Sequence, residues 1–486
     1  MRVVDQGPGS GGGGEPSMYV AARKIYPQAV HGRFRRIKWI VLYVTLGIYY
    51  CLPFVRWDRG PNAPDQAVLI DLGGRRAYFF FIEIWPQEVY YLTGLLIVAA
   101  MVLFLMNAVA GRVWCGYLCP QTVWTDLFMW VERLIEGDRR ERQLLDKAPW
   151  GPVKVSQKVA KHTLWLLIAW WTGGAWVLYF ADAPTMVKEL ATGTAPLTAY
   201  ASIAVLTFTT YALAGFMREQ VCTYMCPWPR IQAALTDEWA LNVAYKIDRG
   251  EPRGSLKHNA KLAAEGLPAG DCIDCQQCVA VCPTGVDIRD GAQLGCIQCG
   301  LCIDACDTVM ARVDKPTGLI GYDTDVNILR REEGKPPIYR FIRARTAIYA
   351  AIIVLAGGAM LWTLATRSSL GVNVLHDRNP VAVQLSDGGV RNGYTVRLLN
   401  MRPVDRSFEV TVDGLPAGSR IEAVGVEADA AGEPLALIGP DRTRELRVLV
   451  FVPRDGLPTE TLPVTFQVRD VASGETETAE DFFHVR

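Results

Sequence analysis

Eight of the chain's thirteen cysteines fall in one stretch, DCIDCQQCVAVCPTGVDIRDGAQLGCIQCGLCIDACD, from Asp271 to Asp307. Cys272, Cys275, Cys278 and Cys282 are spaced C-x2-C-x2-C-x3-C and followed by Pro283. Cys296, Cys299, Cys302 and Cys306 repeat that spacing. Three thiolates around one face of a cuboidal iron–sulfur cluster leave one iron open. In the two-cluster ferredoxin arrangement each run's last cysteine crosses to the other cluster. Cys272, Cys275, Cys278 and Cys306 are therefore expected to hold one 4Fe–4S cluster, and Cys296, Cys299, Cys302 and Cys282 the second. Zinc ribbons separate paired C-x2-C units by longer loops, and a disulfide framework has no reason to duplicate a four-cysteine period. Asp307 stands where a proline is expected, a position that shapes the exit turn and ligates nothing. Ile273, Val279, Val281, Ile297, Leu301 and Ile303 are placed to shield the sulfurs from water.

Four further cysteines form two matched pairs. Arg112-Val-Trp-Cys115-Gly-Tyr-Leu-Cys119-Pro120 and Arg218-Glu-Gln-Val-Cys222-Thr-Tyr-Met-Cys226-Pro227 share the C-x3-C-P spacing, a preceding arginine and a central tyrosine. They read as a diverged internal repeat. On an α-helix, residues i and i+4 share a face with Cβ atoms about 5–6 Å apart. That is too far for a relaxed disulfide and close enough for both sulfurs to ligate one metal at about 2.3 Å. The proline puts each pair at a helix joint. Arg112 and Arg218 are expected to lower the thiol pKa values. Cys115, Cys119, Cys222 and Cys226 are thus candidate metal or redox thiols, whereas Cys51, alone in an apolar run, reads as a small hydrophobe.

The elements that must position these groups are largely apolar. Half of the 486 residues are hydrophobic and fourteen are tryptophan, a composition that points to a membrane. Spanning a bilayer takes about 20 apolar residues, and the runs Ile37–Val55, Val89–Ala110, Thr163–Ala181, Leu197–Met217 and Ala347–Thr366 qualify as five expected spans. The positive-inside rule orients them. Arg33, Arg35, Arg36 and Lys38 precede the first span. Arg133, Arg139, Arg140, Arg142, Lys147, Lys154, Lys158 and Lys161 fill the loop between the second and third, where a solvated charged face is expected. Only Lys188 lies in the loop after the third. The N-terminus, both cysteine pairs and the cluster segment 218–346, with its ferredoxin core at about 265–315, are then on the inside, the reducing side that suits thiolates. Arg59, Arg75 and Arg76 in the first outside loop are discordant, and Tyr78–Pro86 there reads as an aromatic interfacial segment. Thr122–Ile135 is amphipathic, with Trp124, Leu127, Phe128, Val131 and Leu134 on one side, and is expected at the interface or on the bundle.

The remaining regions are simpler. Residues 1–36 read as a disordered, basic N-terminus that opens on a glycine-rich tail. Within 370–486, alternating runs such as Tyr394–Asn400, Ser407–Val412, Glu445–Val452 and Val464–Asp470 are broken by Gly, Pro and Asp, the pattern of a small antiparallel β-sandwich. The formal net charge of zero gives no bias toward nucleic acid. No histidine lies inside a span, which argues against a membrane haem with two histidine ligands. Asn107 is the only strongly polar side chain well inside an expected span, so an acid that would take up quinol protons is missing.

Taken together, HGRFRRIKW (His31–Trp39), RWDRG (Arg56–Gly60), FFIEIWPQEVYYLTG (Phe80–Gly94), RVWCGYLCPQTVWTDLFMW (Arg112–Trp130), CTYMCPW (Cys222–Trp228) and the double ferredoxin motif closely resemble cytochrome c oxidase accessory proteins of the FixG/CcoG (RdxA) type. The resemblance implies a polytopic α-helical membrane protein of the bacterial inner membrane, with five spans over 37–217 and 347–366. It further implies a cytoplasmic two-cluster ferredoxin domain and an exported, periplasmic immunoglobulin-like β domain. It implies a role in assembling a cbb-type oxidase by reducing Cu(II) to Cu(I), with Cys115, Cys119, Cys222 and Cys226 handling copper. Oxidase assembly factors or copper chaperones, and a cytoplasmic electron donor, are the implied partners. Two other functions fit the same residues: a quinol-oxidising membrane ferredoxin, and a non-enzymatic copper chaperone or assembly scaffold.

Overall fold

A computed structural model describes residues 24–60, 62–427 and 433–485. The glycine-rich tail lies outside them. The chain divides into two compact units: one holds the residues up to Val55 and Gln66–Met360, the other Arg56–Asp65 and the chain from Leu361 onward.

In the first unit, α1 (Arg33–Cys51), α2 (Tyr90–Ala110), α3 (Pro120–Glu136), α4 (Arg139–Lys147), α5 (Pro152–Val177), α6 (Ala183–Thr192) and α7 (Leu197–Thr210) follow in order. Among the described residues, four helical stretches are long and apolar enough to cross a membrane: Arg33–Phe54, Pro86–Ala110, Leu197–Met225 and Ala344–Thr366. The remaining expected span, Thr163–Ala181, the third in the chain, falls largely in a continuous helix, α5. Its first half carries Lys154, Lys158 and Lys161, and it is not among the four, although Trp170 and Trp171 stand exposed on it. Two boundaries shift. The first helix starts at Arg33 and so takes in the basic residues placed before it. The stretch from Leu197 runs through two π-turns to Met225, past the expected end at Met217, and so carries Arg218 and Glu219.

The aromatic segment Tyr78–Pro86 is not a plain interfacial run. It belongs to an antiparallel meander of β1 (Val68–Asp71), β2 (Arg76–Phe79) and β3 (Ile82–Ile84), in which Leu69 faces Tyr78 and Tyr78 faces Glu83. The discordant Arg76 pairs with Glu83 at 3.2 Å and lies 3.9 Å from the Trp85 ring. Helix α8 (Trp228–Leu235) follows the second cysteine pair. The cluster segment then packs its loops between α9 (Leu301–Arg312) and a two-stranded sheet of β4 (Asn242–Tyr245) and β5 (Ile320–Asp323). Helix α10 (Ala344–Thr366) leads out of it.

The second unit is a two-sheet sandwich. Strands β6 (Leu370–His376), β7 (Val383–Gln384), β8 (Val390–Asn400), β10 (Arg420–Val424) and β12 (Thr443–Val452) form one sheet, in the order β10-β12-β8-β6 with β7 also on β8. Strands β9 (Arg406–Asp413), β11 (Leu435–Ile438), β13 (Leu462–Asp470) and β14 (Thr476–Phe483) form the other, in the order β11-β9-β13-β14. Alternate residues of both sheets bury Tyr394, Val396, Phe408, Val410, Val448, Val450, Phe466 and Val468 between them, the period-two pattern that the sequence carries. Burial of that interleaved face holds the two sheets together.

Candidate iron–sulfur and thiol site

Each cysteine run curls around a left-handed pair of residues in the same register. Asp274 (φ 51°) and Gln276 (φ 55°) flank Cys275, and Gln298 (φ 56°) and Gly300 (φ 74°) flank Cys299. Such alternation makes the backbone concavity that receives iron–sulfur clusters. The cysteines of the two runs lie within electrostatic reach of one another. Cys306 lies within electrostatic reach of Cys278, Cys275 and Cys272, while Cys296 and Cys299 feel Cys282. Cys302 feels its own group and also Cys278, so the two cages are neighbours. No disulfide joins any of the thirteen cysteines. Among the described residues no three His, Cys, Asp or Glu side chains close on a point fit for a single ion. The residues present therefore fit two 4Fe–4S clusters. Val281, Ile297, Leu301 and Ile303 are buried around them, while Ile273 and Val279 are half-buried. Asp307, in the proline position, accepts the Gly318 amide at 2.7 Å and ties the helix to the following loop.

The two C-x3-C-P units are not α-helical. Residues Trp114–Leu118 and Val221–Met225 are each a π-turn, closed by Cys119 N–H to the Trp114 carbonyl and by Cys226 N–H to the Val221 carbonyl. In both, the second cysteine is extended (ψ 127° and 124°), which is the conformation the following proline imposes. The expected α-helical spacing is thus replaced by one wider turn, a feature frequent at functional sites. The arginines are also out of register. Arg112 precedes Cys115 by three residues and Arg218 precedes Cys222 by four. What matches is the break before the turn, at Gly111 (φ 54°) and Arg218 (φ 25°). All four thiols are brought together: Cys115 feels Cys119, Cys222 and Cys226, and Cys119 feels Cys226. Burial pushes the Cys115 thiol up to about 12 and outweighs Arg112, and burial raises Cys119 too. The lowering expected from Arg112 acts on Cys115 and is outweighed there by burial.

This thiol group sits against the second cluster loop. A Cβ at Gly116 would meet the Ile297 carbonyl at 2.8 Å and the Cys299 amide at 3.2 Å. Tyr117 Oη donates to the Cys299 carbonyl at 2.9 Å. Arg112 is buried at the junction. Its guanidinium donates to the carbonyls of Leu294, Cys296 (3.1 Å) and Pro229 (2.6 Å), and its amide to Gln298 Oε1 at 2.6 Å. Gln232 accepts from Cys115 Sγ at 3.1 Å. Asn107 explains itself here, donating to the Gln232 carbonyl at 3.1 Å. Sequence reading missed Gln232, Gln298 and the reach of Arg112, because glutamine carries no spacing signal and Arg112 already had a role as a flank.

Helix α1 docks on the cluster segment. Asp304, between Cys302 and Cys306, accepts the Phe34 and Arg35 amides at 3.1 and 2.8 Å and so caps the helix N-terminus; Gly32 leaves the carboxylate room. Basic residues that flank the first span, and several of the charged loop where a solvated face is expected, are buried in ion pairs. Arg35 meets Asp126 at 2.7 Å and Lys38 meets it at 3.7 Å. Burial would raise the Asp126 carboxyl, yet Lys38 and Arg35 hold it below its usual range. Arg142 pairs with Glu132, and Lys158 and Lys161 each reach Glu136 at 2.9 Å. The solvated loop face is therefore a buried network gathered on α3, which packs Phe128 and Val131 against Trp165 while Leu134 stays exposed.

Comparisons with known proteins agree with this reading. Residues 217–325 match the "4Fe-4S dicluster domain", 92–137 a "4Fe-4S binding domain", and 360–486 the "IG-like fold at C-terminal of FixG". The chain is 50% identical over 464 residues to the nitrogen fixation protein FixG of Rhizobium meliloti, covering 90% of this chain and 88% of that one. It is 48% identical to protein RdxB of Cereibacter sphaeroides, covering 97% and 98%. It is 50% identical to RdxA of the same organism, covering 87% and 89%.

Proposed function

The chain belongs to the FixG family of iron–sulfur electron-transfer proteins, and on that footing we propose that it reduces Cu(II) to Cu(I) at the four C-x3-C-P thiols. The copper then serves assembly of a cbb-type oxidase, handed on to its assembly factors or copper chaperones. One observation carries the reading: Cys115, Cys119, Cys222 and Cys226 gather into one group against the loop of Cys296–Cys299. When bound, the two clusters supply single electrons. The chain's own thiols do the rest. They bind copper as thiolates, releasing protons, and soft sulfur favours the reduced ion over Cu(II). Arg112 and Tyr117 hold the thiol group and the cluster loop together. Loop charges support an inner-membrane protein with this site on the cytoplasmic side and the β domain in the periplasm. Replacing Cys115 and Cys119 by Ala is expected to leave the paramagnetic signals of both clusters intact and abolish Cu(II) reduction, followed with a Cu(I)-specific chelator. Persistent reduction would overturn the proposal.

A second reading is favoured by the match of residues 92–137, whose only cysteines are Cys115 and Cys119, to a 4Fe–4S binding domain. In it the four thiols hold a resident third cluster. Iron analysis separates the two, at about twelve against about eight atoms per chain for cubes of four irons.

A further inference from the structure

A polar cavity lies between α5 and the π-turns that continue α7. Its walls include Lys158, Lys161, His162 and Trp165 on one side and Phe216, Arg218 and Glu219 on the other. Its cations are already committed. Lys158 binds Glu136 and Asp146 (2.6 Å), Lys161 binds Glu136, and Arg218 binds Glu132 at 2.5 Å. Lys154 donates to the carbonyls of Asp146 and Ala148, and Lys24 reaches Asp146. Among the described residues each of these cations is thus engaged, by a carboxylate or, for Lys154, by backbone carbonyls. Two proton-accepting groups remain. Tyr211 Oη engages His162 Nδ1 at 3.0 Å, which leaves Nε2 available. Glu219 forms no ion pair among the described residues. Aromatic faces surround the imidazole, with Phe216 stacked at 5.9 Å and Trp165 edge-on at 5.3 Å. Phe216 is 58% exposed near the end of a helix fit to cross a membrane. The same Arg218 and Glu219 also wall a second crevice, shared with Cys222, Pro283, Thr284 and Ile297 beside the cluster cages.

We propose that this cavity binds the head of a membrane quinol and that Glu219 and His162 take its two protons. A flat aromatic ring, two acceptors for its hydroxyls, a lipid-facing mouth and a wall shared with the electron-carrying segment are what such a carrier needs. With Nδ1–H donating to Tyr211, Nε2 accepts one hydroxyl proton and the Glu219 carboxylate the other. Two O–H bonds break, the ring becomes the quinone, and two electrons leave singly for one-electron acceptors of the iron–sulfur class. Glu219 is the acid that the expected spans lacked, because the helix carrying it runs on past Met217. The inference rests on the electron-transfer reading and not on copper as the final acceptor.

The test uses the full chain in detergent under anaerobic conditions, with decylubiquinone for calorimetric binding and decylubiquinol for bleaching of the visible cluster absorbance. Wild type is expected to bind saturably, and His162→Phe at least tenfold more weakly. Glu219→Gln is expected to bind within threefold of wild type and to be bleached at least tenfold more slowly by decylubiquinol. Its iron content and its bleaching by dithionite should not change. Absent saturable binding by wild type, or an unchanged bleaching rate in iron-replete Glu219→Gln, overturns the proposal. Should Glu219→Gln lose iron, His162→Phe decides it, unchanged binding being the negative result. Bleaching by decylubiquinol in a chain that leaves Cu(II) unreduced would support this site and sink the copper reading.

Discussion

Tyr117 and Tyr224 occupy the same place in the two C-x3-C-P turns, yet Tyr117 is 9% exposed and Tyr224 78%. The residue before each differs in the same sense. Gly116 leaves no room for a Cβ beside the Ile297 carbonyl, while Thr223 bonds back to the Glu219 carbonyl at 2.8 Å. So do the arginines: Arg112 ties three backbone carbonyls of other segments, whereas Arg218 reaches Gly215 of its own turn and Glu132. One backbone shape has been used twice, once as an internal joint and once as the wall of open crevices. The lesson is that a repeat in sequence fixes the local turn and leaves the neighbourhood free to diverge.

Paired substitutions test that asymmetry. The largest gap is expected between Arg112→Ala and Arg218→Ala. The first strands buried carbonyls and should cost about 3 kcal/mol. The second leaves Glu132 its buried partner Arg142 and should cost about 1.5 kcal/mol. The denaturant midpoint of cluster bleaching measures both, and equal losses would break the comparison. Next, Gly116→Val forces a side chain onto the Ile297 carbonyl, at about 2 kcal/mol, against less than about 1 kcal/mol for Thr223→Val. The same midpoint checks it. Tyr117→Phe should cost about 1 kcal/mol by losing its bond to Cys299, and Tyr224→Phe within about 0.5 kcal/mol. The smallest effect on the turns, none, is expected from a change in the other unit. There Glu475 takes hydrogen bonds from Ser369 and Arg406 that outweigh burial and hold its carboxyl down to about 2. A depressed folded value gives stability that is present above the unfolded carboxyl value of about 4.3 and lost as pH falls toward 2. Glu475→Gln should therefore cost about 1–2 kcal/mol at neutral pH and nothing below about pH 2. Hydrogen exchange of β13 and β14 in the full chain would read it, with cluster bleaching unchanged.

How much of this was legible in the sequence depended on the kind of constraint. Cluster ligation binds residues three and four apart to one object, so the spacing of Cys272–Cys306 announces itself. A half-buried strand must alternate, so Tyr394–Asn400 and Val464–Asp470 do as well. Charge does not behave this way. Arg35 reads the same whether it faces water or Asp126, and that partner is 91 residues away. Arg142, Lys158 and Lys161 suit a solvated face in the sequence for the same reason. The π-turns were hidden because Cys-x3-Cys-Pro suits an α-helical end equally well. The overrun of the fourth apolar stretch to Met225 was hidden by Arg218 and Glu219, which read as a boundary and lie on the helix.

The cap that Asp304 places on the first helix sets an order in time. Phe34 leaves the ribosome 270 residues ahead of Asp304, which at roughly 5–20 residues per second is about 15–55 seconds. Through that interval the amides of Phe34 and Arg35 wait open, and they close only when the second cysteine run has emerged and folded around its iron. Completion of the opening helix's cap is thus an act of a segment made some 270 residues later.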